Sequence, residues 1–207
     1  MYDHRGQGES DGGLGSKSIG SEALVGAGVT EWQDVAAFLR YVLAHPQFGD
    51  DKIVFLSQCI GANATFLAWK KEPDLFSNPQ IKGLIANQAT LSYNMTDRFI
   101  RAKTGLDLVD RVLEAQQEAF WFGFVQALDY VPSLTVPMFY AQVKNDVYTL
   151  NQKTGRNDIQ LIMNAPPTEH GIVWIGPDQS YTIWYRPTVL WVPVFQYASR
   201  CVAGISF

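Results

Sequence analysis

A cysteine stands between a run that reads as a strand and a run that reads as a helix, in Ser57-Gln58-Cys59-Ile60-Gly61-Ala62. The small residues flanking it matter. A strand passes directly into a helix only through a tight turn, and the side chain at the apex is then held in a strained, exposed position. A thiol placed there is a candidate nucleophile, because its thiolate attacks acyl carbons once a neighbouring imidazole has taken the proton. A free cysteine after a strand is ordinarily a small core residue. The small-x-Cys-x-small-small pattern is what argues otherwise for Cys59. Cys201 has no such surroundings, and the two cysteines share no C-x-x-C spacing, so neither a disulfide framework nor a zinc site is expected. A reducing cytoplasm is the expected compartment.

The elements that must position this turn can be read on either side of it. Residues 52–56 form a short, apolar, β-prone run after the turn Gly49-Asp50-Asp51, as a buried parallel strand would. Residues 62–71 have helical composition. Upstream, Thr30 followed by Gln33 matches a capping box, and Trp32, Val35, Ala36, Leu39, Val42 and Leu43 share one helical face until His45-Pro46 ends it. Residues 81–86, 136–141 and 159–163 are further strand candidates. Between the first two, residues 97–103 and 106–122 look helical and are too long for a plain crossover, which suggests a small cap over residues 92–130. Phe120, Trp121, Phe122 and Phe124 read first as helix core and second as an acyl-pocket wall. The alternation of strands and helices predicts one α/β domain over residues 1–207 with a mostly parallel sheet. Residues 171–207 form an atypical tail: 172–175, 181–185, 189–195 and 201–207 are apolar and β-prone, and no final amphipathic helix is expected.

With 207 residues and 47% hydrophobic content, the chain can bury one real core. Its net charge of -4, with lysines and arginines scattered singly, gives no electrostatic footprint for nucleic acid or anionic lipid. The first ten residues have no basic start followed by an apolar run, so no secretory signal is read. Pro193, Gln196 and Arg200 interrupt the apolar tail, which favours buried strands over a membrane span.

The segment Tyr2-Asp3-His4-Arg5-Gly6-Gln7-Gly8-Glu9-Ser10 resembles the Y-D-x-R-G-x-G-x-S loop that follows the fourth strand in α/β-hydrolases, and the Cys59 turn follows it at about the family's interval. The turn departs from the familiar G-x-S-x-G at Ser57 and at Cys59. With a cysteine at its apex it is similar to the elbows of dienelactone hydrolases and of bile-acid-CoA:amino-acid N-acyltransferases. The resemblance runs from Tyr2 to about His170. It implies an α/β-hydrolase sheet truncated at the N-terminus with a small helical cap, and acyl transfer from an ester, lactone or thioester to water or another acceptor. The family places an acid after the seventh strand and a histidine after the eighth. Val136 to Ala141 followed by Gln142-Val143-Lys144-Asn145-Asp146 resembles the loop that delivers the acid, so Asp146 is the implied acid, with Asp158 the weaker candidate. His170 fits the base by chain order, since His4 lies in the early loop and His45 ends a helix. The backbone N–H of Ile60 is the implied oxyanion donor. Asp3 and Arg5 read as structural. No cofactor and no metal are implied; the expected partner is a small acyl substrate.

Family members carry four strands before the Y-D-x-R-G loop, and one oxyanion donor comes from the loop after the third. This sequence begins at that loop. The strand bearing Cys59 is therefore expected to present an open edge, which either the tail or a second copy of the chain would cover. A rival expectation is a catalytically silent hydrolase-like binding or assembly protein, or an inactive fragment.

Overall fold

The computed structural model describes residues 28–90, 92–120, 134–144, 146, 149–151, 155–163, 170–176 and 186–205. Four short apolar segments become adjacent parallel strands: β1 (Ile53–Gln58), β2 (Ile81–Asn87), β3 (Met138–Val143) and β6 (His170–Ile175), in the order β1-β2-β3-β6. The register aligns Gln58 with Asn87, Asn87 with Ala141, and Ala141 with Val173. That row marks the carboxyl end of the sheet. A second, two-stranded antiparallel pair, β4 (Leu150–Asn151) and β5 (Arg156–Asn157), lies in the segment between β3 and β6.

Strand residues alternate between two faces, and each face is covered by helices. On one side Phe55, Leu84, Met138 and Tyr140 join Val35, Leu39, Phe66, Trp69 and Phe76. These come from α1 (Trp32–Ala44), α2 (Ile60–Lys71) and α3 (Pro73–Phe76). Every residue of α2 from Ala62 to Trp69 is buried, as expected of a helix apolar nearly all round and packed between the sheet and α1. On the other side Val54, Ile85, Phe139 and Val173 meet Leu190, Val194, Tyr197 and Cys201. These belong to a π-helical turn, Pro187–Trp191, and to α7 (Val192–Ala203). Helices α4 (Ser92–Thr104) and α5 (Val109–Phe120) follow β2 within the segment expected to form a cap.

Several expectations need correction. The run at 159–163 is not a strand but part of α6 (Asp158–Met163), where Ile159 and Ile162, one turn apart, are both fully buried. A short apolar run does not declare its period. The β-prone tail is helical over 187–203: Val194, Tyr197 and Cys201 fall three and four residues apart and face the sheet, Pro193 sits in the first turn where its missing N–H costs nothing, and Gly204 ends the helix at φ 70°. A final amphipathic helix is thus present. It packs on β2 so closely that a Cβ on Gly83 would lie 2.7 Å from Cys201 Sγ. The cap of α1 lies one residue beyond Thr30. The cap position of α1 is Glu31, whose carboxylate turns back to accept the N–H groups of Gly28 and Thr30 at 2.8 and 3.2 Å.

Among the described residues β1 pairs on one side only and forms an edge of the sheet, with Leu56 46% exposed. Also among them, no helix is long and apolar enough to cross a membrane.

Candidate active site at the carboxyl end of the sheet

Cys59 is the single residue between β1 and α2, and its backbone sits at φ 51°, ψ -119°. A side chain costs on the order of 1–3 kcal/mol in such a conformation, which persists only when the surroundings over-determine it. They do so from both directions. Its N–H donates to Asn87 O at 2.9 Å, extending the β1–β2 ladder by one residue, and its C=O accepts from Ala62 and Asn63 N–H at 3.0 and 3.4 Å, opening the helix. The thiol is half-buried. Ile60 follows as the first helical residue, so its N–H has no intrahelical acceptor and points from the positive end of α2. Ser57 Oγ and Thr65 Oγ1, 2.8 Å apart, tie the strand to the helix beneath the turn.

The early loop reaches the described residues at Gly28, and it does so against the elbow. Gly28 has φ 94°, and a Cβ there would lie 2.6 Å from Asn63 Cβ and 2.8 Å from Ile60 O. Only glycine lets the two backbones approach this closely. The Tyr2 to Ser10 motif itself, with Asp3, His4 and Arg5, lies outside the described residues, as do Trp121, Phe122, Phe124 and the loop before His170; of Phe120 only its place in α5 is described.

Asp146 stands three residues beyond β3 and is 2% exposed. Its C=O accepts from Thr149 and Leu150 N–H at 3.1 and 2.8 Å, closing a turn, and its Oδ2 accepts from Gln88 Nε2 at 3.2 Å. Gln88 is the residue after Asn87, which holds the Cys59 N–H. Cys59, just past β1, and Asp146, three residues past β3, are thereby brought to one end of the sheet and linked through two consecutive residues at the end of the strand between them. Asp158 is occupied elsewhere, in a two-pronged pair with Arg98 of α4 at 2.8 and 3.0 Å. Gln88, Gln142, Thr149 and Asn157, buried around Asp146, were not legible as site residues; polar side chains inside or directly after an apolar strand were the only signal.

No family model and no curated protein matches the sequence. Solved structures do match. The α/β-hydrolase GrgF from a Penicillium species is 15% identical, with TM-score 0.60 over 98% of this chain and 79% of that one. The esterase Pf2001 from Pyrococcus furiosus is 15% identical, with TM-score 0.56 over 88% of this chain, which spans 66% of the esterase. The N-acyl homoserine lactonase AidH, complexed with N-butanoyl homoserine, is 9% identical, with TM-score 0.54 over 96% and 77%.

The chain has the α/β-hydrolase fold.

Counted as in the α/β-hydrolase fold, β1, β2, β3 and β6 stand as the fifth to eighth strands, because the strand–turn–helix at Cys59 follows β1 and Asp146 follows β3. In that family the catalytic histidine follows the eighth strand. His170 is instead its first residue, level with Met138, three residues short of the row that ends the sheet. Three strands across and four residues below Cys59, at ~4.8 Å per strand and ~3.3 Å per residue, its backbone lies on the order of 20 Å from that of Cys59. By this backbone placement the structure does not bring His170 beside Cys59. Chain order had His170 following a strand because the strand was assigned to residues 159–163, which are helical. Residues 171–207 contain no histidine. His45 accepts the Gln47 N–H at 3.2 Å in the turn leading into β1, at the opposite end of that strand.

Proposed function

We propose that the protein is a cofactor-independent acyl hydrolase, acting on an ester, lactone or thioester, in which Cys59 is the nucleophile, Ile60 N–H an oxyanion donor and Asp146 the acid of the site. The observation that carries this reading is the Cys59 backbone: a non-glycine residue held at φ 51° between a parallel strand and a buried helix. Such strain is characteristic of sites where a side chain must be presented. In the reaction, Cys59 sulfur bonds to the acyl carbon, the alcohol or thiol leaves with a proton, and water then cleaves the acyl-cysteine to acid and free thiol. Transfer to an acceptor other than water is the same chemistry with a different second step. Proton acceptance from Cys59 is the one role that neither described histidine fills. The likeness to esterases and to a lactonase supports the substrate class.

A second reading is favoured by the position of His170: a hydrolase-like binding or assembly protein that performs no chemistry. Two measurements separate them. Brief iodoacetamide labelling with peptide mapping is expected to modify Cys59 well before Cys201, which is buried on α7 and whose thiol burial pushes up. Hydrolysis of p-nitrophenyl acetate is expected to be lost in Cys59→Ala and kept within about twofold in His170→Ala. Activity surviving Cys59→Ala places the chemistry elsewhere, and a wild-type protein without burst or turnover supports the silent reading.

A further inference from the structure

We infer that Gln88 is a positioning residue for Asp146, holding the carboxylate in place through a buried chain of amides; this rests on the reading of Asp146 as the acid of the site. Among the described residues only Cys59 and Gln88 are non-glycine residues with a left-handed φ, 51° and 53°. They stand just past the ends of two adjacent strands. A turn needing nothing but the backbone conformation is served most cheaply by glycine. A glutamine held there at 1% exposure implies that its side chain is what the position requires.

The direction of each hydrogen bond follows from donor chemistry. Val143 N–H can only donate, and it lies 2.9 Å from one end of the Gln88 amide, so that end is Oε1. Gln142 Nε2 donates to the same oxygen at 2.6 Å. The other end is then Nε2, and it faces Asp146 Oδ2 at 3.2 Å as a donor to a carboxylate. The backbone N–H of Gln88 meanwhile donates to Ala141 O at 2.8 Å, continuing the β2–β3 ladder. Gln142 Nε2 also lies 2.9 Å from Thr149 Oγ1, Thr149 Oγ1 donates to Asn157 Oδ1 at 2.9 Å, and Asn157 Nδ2 donates to Lys144 O. Asp146, Thr149 and Asn157 are thus fastened by buried amides to the ends of β2 and β3. Gln88 is the member of this chain that touches the carboxylate.

The experiment is a double-mutant cycle on the full chain, with p-nitrophenyl acetate as probe and thermal unfolding followed by circular dichroism as the folding control. Gln88→Glu keeps the shape, removes the donor and sets a second acceptor against Asp146. It is expected to lower kcat roughly tenfold to a hundredfold, with KM within about twofold. In the Asp146→Asn background the same change is expected to add no further loss of kcat, because Gln88 acts only through that carboxylate. A loss equal in both backgrounds, or an unaffected kcat in Gln88→Glu, overturns the inference while leaving Asp146 as the acid. Wild-type kcat in Asp146→Asn, or an inactive wild-type protein, overturns the reading of the site and the inference with it. Should Gln88→Glu fail to fold, Gln88→Met, which keeps length and lacks both polar atoms, takes its place in the same cycle with the same expectation.

Discussion

Gly83→Ala tests the feature that most separates the observed fold from its sequence, the return of α7 across the sheet. The added methyl would sit 2.7 Å from Cys201 Sγ, 3.4 Å from Cys201 Cβ and 3.5 Å from Pro137 O. Only the sulfur contact is impossible without movement. It lies between a central strand and a helix whose buried residues leave no slack, so the overlap is expected to cost about 1–3 kcal/mol. Reduced freedom of the unfolded chain returns about 0.4–1 kcal/mol. The expected net loss is about 1–2 kcal/mol. Cys201→Ala alone removes the sulfur and leaves a methyl-sized void, at about 1 kcal/mol. The double variant places the new methyl where the sulfur was, and is expected to lie within about 0.5 kcal/mol of wild type, a coupling well above the ~0.3–0.5 kcal/mol scatter of independent sites. Urea unfolding followed by circular dichroism, at constant m-value, reads all four proteins. Additive losses, or a Gly83→Ala protein as stable as wild type, would refute the packing of α7 on β2.

Three further outcomes follow from the structure. Arg98→Met removes the two-pronged partner of Asp158, whose side chain is 1% exposed, and is expected to cost about 3–5 kcal/mol in urea unfolding, with Arg98→Met/Asp158→Leu recovering part of it; a single variant losing under about 1 kcal/mol would show that the pair does not hold α4 to α6. Burial raises the Cys201 thiol and the Tyr140 phenol above their ordinary values, so the unfolded chain loses these protons first. Stability is therefore expected to be full below the ordinary thiol range and to fall as pH rises through it and on toward the phenol range, with a flatter decline in Cys201→Ala/Tyr140→Phe; an unchanged slope would contradict this. Because β1, among the described residues, is paired on one side only, light scattering is expected to show concentration-dependent self-association, and a monomer persisting at high concentration would show that the edge is protected.

Three of the four sheet strands were legible because they are short apolar runs bounded by glycine, proline and asparagine, and the turn at Cys59 because small residues flank it on both sides. The tail was misread for a local reason. Val189, Trp191, Val192, Val194, Phe195 and Tyr197 favour strands individually, yet three-four spacing of the residues that face the sheet, Pro193 at the helix start and Gly204 at its end are stronger punctuation than propensity. The same weighting would have recovered α6, which begins with Asp158 at its positive end. The placement of His170 changes with it, since moving the last strand from 159–163 to 170–175 turns a residue read as following a strand into the one that begins it.

The part of the site that no pattern revealed is the part that depends on register. Gln88 and Gln142 are 54 positions apart and meet because Asn87 is level with Ala141, a fact fixed by the pairing of β2 with β3 and by nothing near either residue. Glutamine also carries no preference for a left-handed backbone, so its φ of 53° is a conflict between local propensity and structure. Conflicts of this kind concentrate where a fold holds a side chain for a purpose other than stability. Cys59 is the other one, and the Asn87 carbonyl that accepts its N–H is joined by a single peptide bond to Gln88. The strain that presents the thiol and the strain that directs an amide at Asp146 are therefore set by the same two-residue step at the end of β2. Altering the length of that step by one residue would be expected to move both groups together, whereas a change within β1 or the Asp146 loop would move only one.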